Sequence, residues 1–575
     1  MVKRHERSGL RAWLVAGGMT AALWLFLSNF SDIHFGVNDD QFILRTFMGF
    51  EPGGAPTFHL YIHGMYAYPL RWLSLAFPKA AWFSVLEIGL LSLGLTTILK
   101  SIFLCFQRRG SSRWLGYLFG ACYLVWFGLF YCARVTYTTT AATLGAAAVA
   151  QMLSVNGKKA SDREIIGSMA YALTLVALCY GLRQMTALPV LGYCGLVFLL
   201  LWLRDFGWGK KARRSPKPLL ITLCAVGLVM GGLAAGREAE ITAKGQRDYL
   251  DWQQARISVL DYIDLERLPK EALQDVGWTE KDNELLIQWN TMDEKISTES
   301  FRYLRENWRS RETSDSAGMA IEDFRTRSPL AVASMLFALA LGLIVLAAAW
   351  GKRKEEPWSF WTLLAAGGFC FAFFCYLALQ GRLPYRAVMV PVMPAAAMVF
   401  CLAGDCLPVW APKEGKKGRV TAAVCAALVL ATTAYSAPLL EWVRYVPSQW
   451  EYNTGEDMDA QALSHPELLL IYSTELVNDM RMFPNVEAGT PTNLMFWGGW
   501  QRGAPEYKAR LEAFGIDPDH FTASDWLRPE VRFLSLKEEP NQALLDYLRE
   551  NLGAGVNWEG EKVSQGLWFY RFYIE

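Results

Sequence analysis

Gly36-Val37-Asn38-Asp39-Asp40 is the stretch that decides how this chain is interpreted, because it puts two adjacent carboxylates just beyond a long apolar segment. That segment, residues 11–30, has the length of about 20 residues that crosses the hydrocarbon core of a bilayer. It begins with basic residues, as a secretory signal does, but no small-x-small cleavage site follows it, so we predict a retained first helix. Acids at the end of such a helix are rarely needed to hold it in place.

Further apolar runs recur along the chain of 575 residues, of which 53% are hydrophobic and 19% are charged. Arg134 and Arg183 each divide a long apolar stretch, and we interpret both as tight hairpins between neighbouring helices. We therefore predict a mainly α, polytopic membrane protein with about eleven transmembrane helices, at residues 11–30, 82–106, 114–132, 138–155, 165–181, 187–203, 218–236, 329–350, 358–379, 387–407 and 420–440.

The basic residues of the loops predict the orientation of the chain in the membrane. Successive loops lie on opposite sides of the membrane. The loops of one side carry 23 Lys and Arg, and the short loops of the other side carry 7. The positive-inside rule then puts the N-terminus in the cytoplasm. An odd number of spans puts the C-terminus on the outer side.

Four units follow from these boundaries. Residues 1–236 form an N-terminal transmembrane module with a long outer loop, 31–80, and residues 329–440 form a C-terminal transmembrane module. Residues 237–328 form an extracytoplasmic helical insertion with 20 acidic and 14 basic residues. Residues 441–575 are long enough for an extracytoplasmic domain. The pattern of this domain predicts α/β structure, with strands at 468–472, 531–536 and 567–573 and helices at 507–514 and 542–548.

The composition excludes several classes of function. All eleven cysteines lie between Cys105 and Cys425, in or beside apolar segments, so the large outer segments use no disulfides. No Cys or His spacing indicates zinc. The net charge of +1 gives no reason to expect nucleic acid as a partner. The sequence has no Gly-rich Walker loop, which excludes ATP hydrolysis by that route.

Two interpretations of Asp39 and Asp40 remain open at this level. In the first, the pair caps a helix that starts at Gln41. In the second, one of the two is a catalytic base, and the pair is also a candidate ligand for a divalent cation, Mg²⁺ or Mn²⁺. Loop 31–80 is aromatic and only weakly polar, which favours amphipathic helices along the membrane surface, broken at Pro52-Gly53-Gly54.

The layout resembles the GT-C glycosyltransferases, membrane enzymes that move a sugar from a polyprenyl-phosphate carrier to an acceptor. Within residues 36–71, the acid pair, the aromatic stretch after it and the turn Gly53-Gly54-Ala55-Pro56 look like the bacterial polyprenyl-dependent branch, whose members decorate cell-wall or surface polysaccharides. The resemblance implies a polyprenyl-phosphate-linked sugar, a glycan or lipid-linked acceptor and membrane lipids as partners. It also implies a bacterial cell membrane location, and it places the catalytic acid at Asp39 or Asp40.

The chemistry of that reaction identifies further candidates. Polyprenyl phosphate is a good leaving group, so transfer needs a base for the acceptor hydroxyl and positive charge for the departing phosphate. The transfer would invert the configuration at the anomeric carbon of the sugar. A neighbouring like charge raises the pKa of one acid, which suits a base working near neutral pH. Arg382 and Arg386, four apart beside a proline turn, either grip the phosphate or extend to lipid headgroups. All candidates for donor phosphate binding are arginines of the outer loops: Arg134, Arg183, Arg382 and Arg386.

Three other features are weaker candidates. Glu87 lies early in the second span, where an acid usually faces a cavity. His59 and His63 have the i, i+4 spacing of a metal-binding pair on a helix, but no third ligand is evident. Trp497 and Trp500 either pack in the core of the outer domain or stack on a sugar.

Two other classes of function remain open. One is a transporter or flippase of lipid-linked sugars, and the other is a non-enzymatic assembly protein for surface polysaccharides. Transporters often contain repeated halves and charges near the bilayer centre. The sequence has no evident repeat, and apart from Glu87 the charges lie at the ends of the predicted spans, which favours an enzyme.

Overall fold

The computed structural model describes most of the chain. It covers residues 2–108, 113–155, 160–206, 217–308, 313–354, 357–407, 443, 449–476, 480–486, 488–564 and 566–575. The predicted eleventh span, 420–440, lies outside these residues.

Helices make up most of the described structure, both in the apolar spans and in the segments between and after them. In chain order they are α1 Val2–Phe30, α2 Asn38–Met48, α3 Gly64–Ala76, α4 Trp82–Arg108, α5 Arg113–Phe127, α6 Leu129–Ala133, α7 Tyr137–Leu153, α8 Asp162–Leu182, α9 Gln184–Leu201, α10 Lys217–Ala243, α11 Arg247–Leu260, α12 Lys270–Asp275, α13 Glu280–Ile287, α14 Thr298–Asn307, α15 Thr313–Arg327, α16 Pro329–Gly351, α17 Pro357–Leu379, α18 Tyr385–Cys406, α19 Gln449–Ser464, α20 Pro505–Ala513 and α21 Gln542–Leu552. The strands are β1 His34–Phe35, β2 Arg134–Val135, β3 Leu469–Tyr472, β4 Leu494–Phe496, β5 Val531–Ser535, β6 Val556–Lys562 and β7 Trp568–Ile574.

Eight of the described helices are long and apolar enough to cross a membrane: α1, α4, α8, α9, α10, α16, α17 and α18. The chain is therefore an integral, multi-pass membrane protein of mainly α structure. Two predicted spans correspond to shorter helices. Span 114–132 is divided at Gly128 into α5 and α6, and span 138–155 corresponds to α7, which has 17 residues.

Helix α7 is the centre of the bundle, because every one of its residues is buried. Small residues allow its neighbours to come close, as in other membrane bundles. A Cβ atom on Gly145 would collide with Val190 of α9, and one on Gly94 of α4 would meet Thr143. The surrounding helices therefore hold the N-terminus of α7 in a defined position.

The loops that the basic-residue count assigns to one side meet at one end of this bundle. Strand β1, in loop 31–80, pairs in parallel with β2, which precedes α7. Arg183, between α8 and α9, donates a hydrogen bond to the hydroxyl of Tyr137, and Arg386 donates to Asp39. This grouping agrees with the alternation of the predicted topology. Which end faces the cytoplasm stays a prediction.

The two larger segments that the sequence predicts to be extracytoplasmic join the same end, since Arg382 pairs with Asp261 of the insertion and Arg45 with Asp459 of the C-terminal segment. The insertion is helical, from α11 to α15, and its own small core includes Val259, Trp278 and Phe301. Arg502 of the C-terminal domain ties the two together, donating to the carbonyls of Ile296 at 2.6 Å and Asp293 at 3.0 Å.

The C-terminal segment is the expected small α/β domain. Its sheet has the order β4-β3-β5-β7-β6, in which β3 is parallel to β4 and β5, and β7 is antiparallel to β5 and β6. The sequence predicted β3, β5, β7, α20 and α21 but missed two strands. Strand β4 has only three residues, and β6 lies at the sheet edge, where Glu559, Glu561 and Lys562 hide the apolar pattern.

Candidate active site

The acid pair lies in the first turn of α2, and it does not cap that helix. Helix α2 starts at Asn38, and its N-cap residue is Val37, whose side chain makes no capping hydrogen bond. The interpretation in which the acids cap a helix that starts at Gln41 is therefore wrong, because the helix starts three residues earlier. The charge of Asp39 in this first turn interacts favourably with the positive end of the helix dipole.

Gly36 explains how the acid pair reaches the bundle. Its N–H donates to the carbonyl of Val135 at 2.8 Å, continuing the pairing of β1 with β2. A Cβ atom at this position would collide with the hydroxyl of Tyr385 and the methyl group of Thr136. Only glycine allows this approach, which sets the acid pair against the N-terminus of α7.

Asp40 is completely buried and binds the first N–H of α7, whose N-cap residue is Thr136. Its Oδ1 accepts a hydrogen bond from the backbone N–H of Tyr137 at 2.7 Å, while Oδ2 has no partner among the described residues. Burial raises the pKa of Asp40 well above its usual range, and the charge of Asp39 adds to this, although the Tyr137 N–H opposes it. Burial therefore favours the protonated form of Asp40 more than that of an ordinary aspartate.

Glu87 of α4 lies close enough to Asp40 for the two carboxyl groups to interact. Its side chain is completely buried, and neither of its oxygens has a hydrogen-bond partner among the described residues. The sequence singled out Glu87 as an intramembrane acid, which usually faces a cavity, and the structure places it near Asp40.

Asp39 has the opposite character. Its Oδ2 accepts a hydrogen bond from Nη1 of Arg386 at 2.8 Å, and 20% of its side chain is exposed. Burial by itself would raise the pKa of Asp39, but the charge and hydrogen bond of Arg386 outweigh it, with help from Arg183 and Arg256, so the pKa lies below its ordinary value. Asp39 is therefore ionised near pH 7.

The four predicted arginines have different surroundings. Arg386 and Arg183 lie at the acid pair, and the Arg183 guanidinium also lies 4.7 Å from the ring centre of Tyr137. Arg382 instead forms an ion pair with Asp261 at the end of α11. Arg134 lies in β2, with its guanidinium 5.9 Å from the ring centre of Phe130.

Sequence reasoning missed Arg256, and it singled out Trp500 without connecting it with the acid pair. Arg256 of α11 is 4% exposed, and its charge reaches Asp39 from the insertion. Trp500 of the C-terminal domain packs against Tyr61, with 5.4 Å between ring centres. No sequence signal connects either residue with the acid pair, because more than 200 residues separate each from Asp39.

The two histidines do not form the metal pair that their spacing suggests. His59 lies outside any helix, and its Nδ1 accepts from the N–H groups of Tyr61 and Ile62. His63 caps α3 by accepting from the N–H of Met65 at 3.1 Å. Among the described residues, no three or more His, Cys, Asp or Glu side chains are grouped to hold a metal ion.

The comparisons with known proteins found likeness only among solved structures. No family model and no curated protein matches the chain. The chain is similar to ArnT from Cupriavidus metallidurans, in a crystal structure bound to undecaprenyl phosphate, with 13% identity, a TM-score of 0.46 and coverage of 97% of each chain. It is also similar to the Archaeoglobus fulgidus oligosaccharyltransferase in its apo form, with 10% identity, a TM-score of 0.43 and coverage of 92% of this chain and 69% of that one.

Proposed function

We propose that this protein is a GT-C-type membrane glycosyltransferase that moves a sugar from a polyprenyl-phosphate carrier to a hydroxyl group of a cell-surface or cell-wall glycan, or of a lipid-linked acceptor. One observation carries the proposal: an ionised carboxylate, Asp39, lies among the guanidinium groups of Arg386, Arg183 and Arg256 at the end of a membrane bundle. This arrangement offers a proton acceptor and an anion site side by side, as the reaction requires.

The two acids have different roles in this proposal. Asp39 is the base, because it is ionised and partly exposed. Asp40 is the positioning residue, because it is fully buried and bonded to the first turn of α7. An acceptor hydroxyl has to reach the base, and only Asp39 of the two is open to solvent, which decides between them.

Arg386 links the binding of the donor phosphate to the pKa of the base, Asp39. A carboxylate in an ion pair is a weak base, since its partner stabilises the charged form. The donor phosphate competes for Arg386, and when Arg386 binds the phosphate, the pKa of Asp39 rises toward the range useful for proton transfer. Arg183 and Arg256 keep positive charge beside the phosphate.

The transfer step is a single displacement. The acceptor oxygen forms a bond to the anomeric carbon, and the bond between that carbon and the phosphate oxygen breaks. The electron pair leaves with polyprenyl phosphate, and the acceptor proton goes to Asp39. One displacement inverts the anomeric centre.

The surroundings of Asp39 do not fit a divalent cation well. Asp40 is fully buried, and the guanidinium of Arg386 already pairs with Oδ2 of Asp39. A cation here would face the positive charges of Arg386, Arg183 and Arg256, and Mg²⁺ prefers carboxylates, carbonyls and water. No step of the proposal uses a metal, although the sequence suggested Mg²⁺ or Mn²⁺ at Asp39 and Asp40.

Asp39→Asn tests the proposal. The full-length protein in detergent is given a panel of polyprenyl-phosphate sugars with cell-envelope extract as the source of acceptor, and release of polyprenyl phosphate is measured. Loss of general-base catalysis lowers the rate by about 10²–10⁴. Asp248→Asn, an exposed acid in the first turn of α11, is the matched control and keeps the wild-type rate. A stable Asp39→Asn protein with normal transfer would overturn the mechanism.

A further inference from the structure

A narrow cleft lies where loop 31–80, the insertion and the C-terminal domain meet. Its lining includes Glu51 and His59 from the loop, Tyr249 from α11, and Trp500, Glu506 and Tyr507 from the C-terminal domain. The cleft adjoins the acid pair, because the charge of Asp39 reaches His59.

Three polar side chains of this cleft have buried atoms without a partner among the described residues: Nε2 of His59, Nε1 of Trp500 and the hydroxyl of Tyr507. The three side chains are only 3%, 7% and 3% exposed, in that order. Leaving such a group unpaired costs about 1–3 kcal/mol, and most buried polar groups in proteins are hydrogen-bonded. Three of them around one cleft therefore indicate a polar ligand.

Acceptor groups complete the lining. Glu51 is held in place by Nη2 of Arg510 at 2.5 Å, and Glu506 lies near both residues. The backbone of Trp500 is fixed from the insertion, since the hydroxyl of Tyr249 donates to its carbonyl at 2.7 Å. The indole of Trp500 lies 5.0 Å from the His59 ring, centre to centre.

We propose that this cleft binds the hydroxyl-bearing edge of a sugar. An aromatic ring beside unpaired N–H and O–H donors and carboxylate acceptors is the chemistry that recognises a carbohydrate, whose faces carry C–H groups and whose edge carries hydroxyls. The cleft encloses about 380 Å³ with its mouth, but only about 20 Å³ is wide enough for a water molecule. It therefore takes hydroxyl groups, and the sugar ring stays in the wider part.

The inference rests on the proposed transfer of sugar, and it deepens that function. The sugar belongs either to the donor or to the acceptor glycan, and both have the same chemistry. Kinetics distinguish them, because a cleft variant raises KM only for the substrate whose hydroxyls enter.

Tyr507→Phe is the sharpest variant, because it removes one hydroxyl and keeps the ring. Since that hydroxyl has no protein partner, the melting temperature stays equal or rises. KM for one substrate rises about 2- to 10-fold, the worth of one hydrogen bond, with kcat nearly unchanged. The matched control is Tyr570→Phe in the same domain, whose hydroxyl donates to the carbonyl of Lys537 at 2.5 Å; it leaves both KM values unchanged.

A binding measurement separates the cleft from the reaction. Saturation-transfer NMR on the full-length protein uses methyl glycosides of glucose, galactose, mannose and arabinose as probes. At least one gives a signal in the wild type and in Tyr570→Phe that weakens in Tyr507→Phe. No signal from any probe, unchanged KM values, or a destabilised Tyr507→Phe would overturn the sugar site and indicate a cleft filled by water. Glycoside binding together with normal transfer by Asp39→Asn would instead overturn the proposed mechanism and leave the sugar site standing.

Discussion

Asp40 accepts a hydrogen bond from the backbone N–H of Tyr137, a residue 97 positions later, at 2.7 Å. The acid that follows the first span therefore holds the first turn of α7, while its neighbour Asp39 binds Arg386 and stays partly exposed. Two adjacent carboxylates of one sequence motif thus have separate tasks, because successive residues of a helical turn point in different directions.

The first prediction concerns Asp40 as the acceptor for the Tyr137 N–H. Asp40→Ala leaves this buried N–H without its acceptor and costs about 1–3 kcal/mol of stability. Asp40→Asn keeps an oxygen acceptor in place and is close to the wild type. Thermal unfolding in detergent measures both. Equal melting temperatures for the two variants would contradict this role of Asp40.

The second prediction concerns Arg386. Arg386→Ala removes a charge-assisted contact worth about 1.5–3 kcal/mol, so KM for a polyprenyl-phosphate sugar rises roughly ten- to a hundredfold. Arg386→Lys restores only part of the lost affinity. A lysine ammonium is a point charge and cannot offer the two parallel hydrogen bonds of a guanidinium. Arg382→Ala is the matched comparison and has the smaller effect, since its guanidinium pairs with Asp261. Equal losses in both alanine variants would instead support the joint phosphate grip that the sequence predicted.

The third prediction concerns pH. Burial, with the charge of Arg237, lowers the pKa of His59 to about 3, whereas an unfolded chain has a His pKa of about 6.5. At a pH between these two pKa values, His59 binds a proton in the unfolded state but not in the folded state. The free energy of unfolding therefore falls as the pH falls. Between pH 7 and 5 the loss is about 2 kcal/mol.

His59→Gln removes this dependence, so its melting temperature falls less between pH 7 and 5 than that of the wild type. His465→Gln, at an exposed position, is the control and follows the wild type. The same acid sensitivity in all three proteins would mean that His59 is not the residue responsible.

The fourth prediction concerns metal ions. Because positive guanidinium groups surround Asp39, transfer continues in the presence of EDTA at the wild-type rate. Added Mg²⁺ or Mn²⁺ leaves the rate unchanged. Loss of transfer in EDTA, restored by either ion, would return the acid pair to the cation-binding role that its sequence suggested.

The fifth prediction concerns topology. Cysteines placed at Asn307 and His520 react together with a membrane-impermeant thiol reagent applied to intact cells, and a cysteine at Lys354 does not. The three positions are exposed, and the first two belong to the outer segments predicted from the basic-residue count. Labelling of Lys354→Cys alone would reverse the orientation and move the site to the cytoplasmic face.

The sequence by itself determined the features that depend on local pattern. Runs of about 20 apolar residues predict spans wherever they occur, and eight of the predicted eleven are long apolar helices in the structure. The same holds for β3, β5 and β7, whose apolar residues are continuous or alternate. Where the local pattern is short or polar, as in β4 and β6, prediction failed.

Only the tertiary structure decided which residues meet. The sequence singled out Asp39, Asp40 and Arg386, but it could not say that Asp40 accepts from the Tyr137 N–H or that Arg386 pairs with Asp39. Arg256 carried no signal, and Trp500 was singled out only as a residue of the C-terminal domain, because the surroundings of both come from segments far away in the chain. Burial raises the pKa of Asp40, whereas Arg386 lowers that of Asp39, and both shifts are properties of the packed molecule. Two residues of one type, adjacent in sequence, therefore acquire different chemistry only after folding.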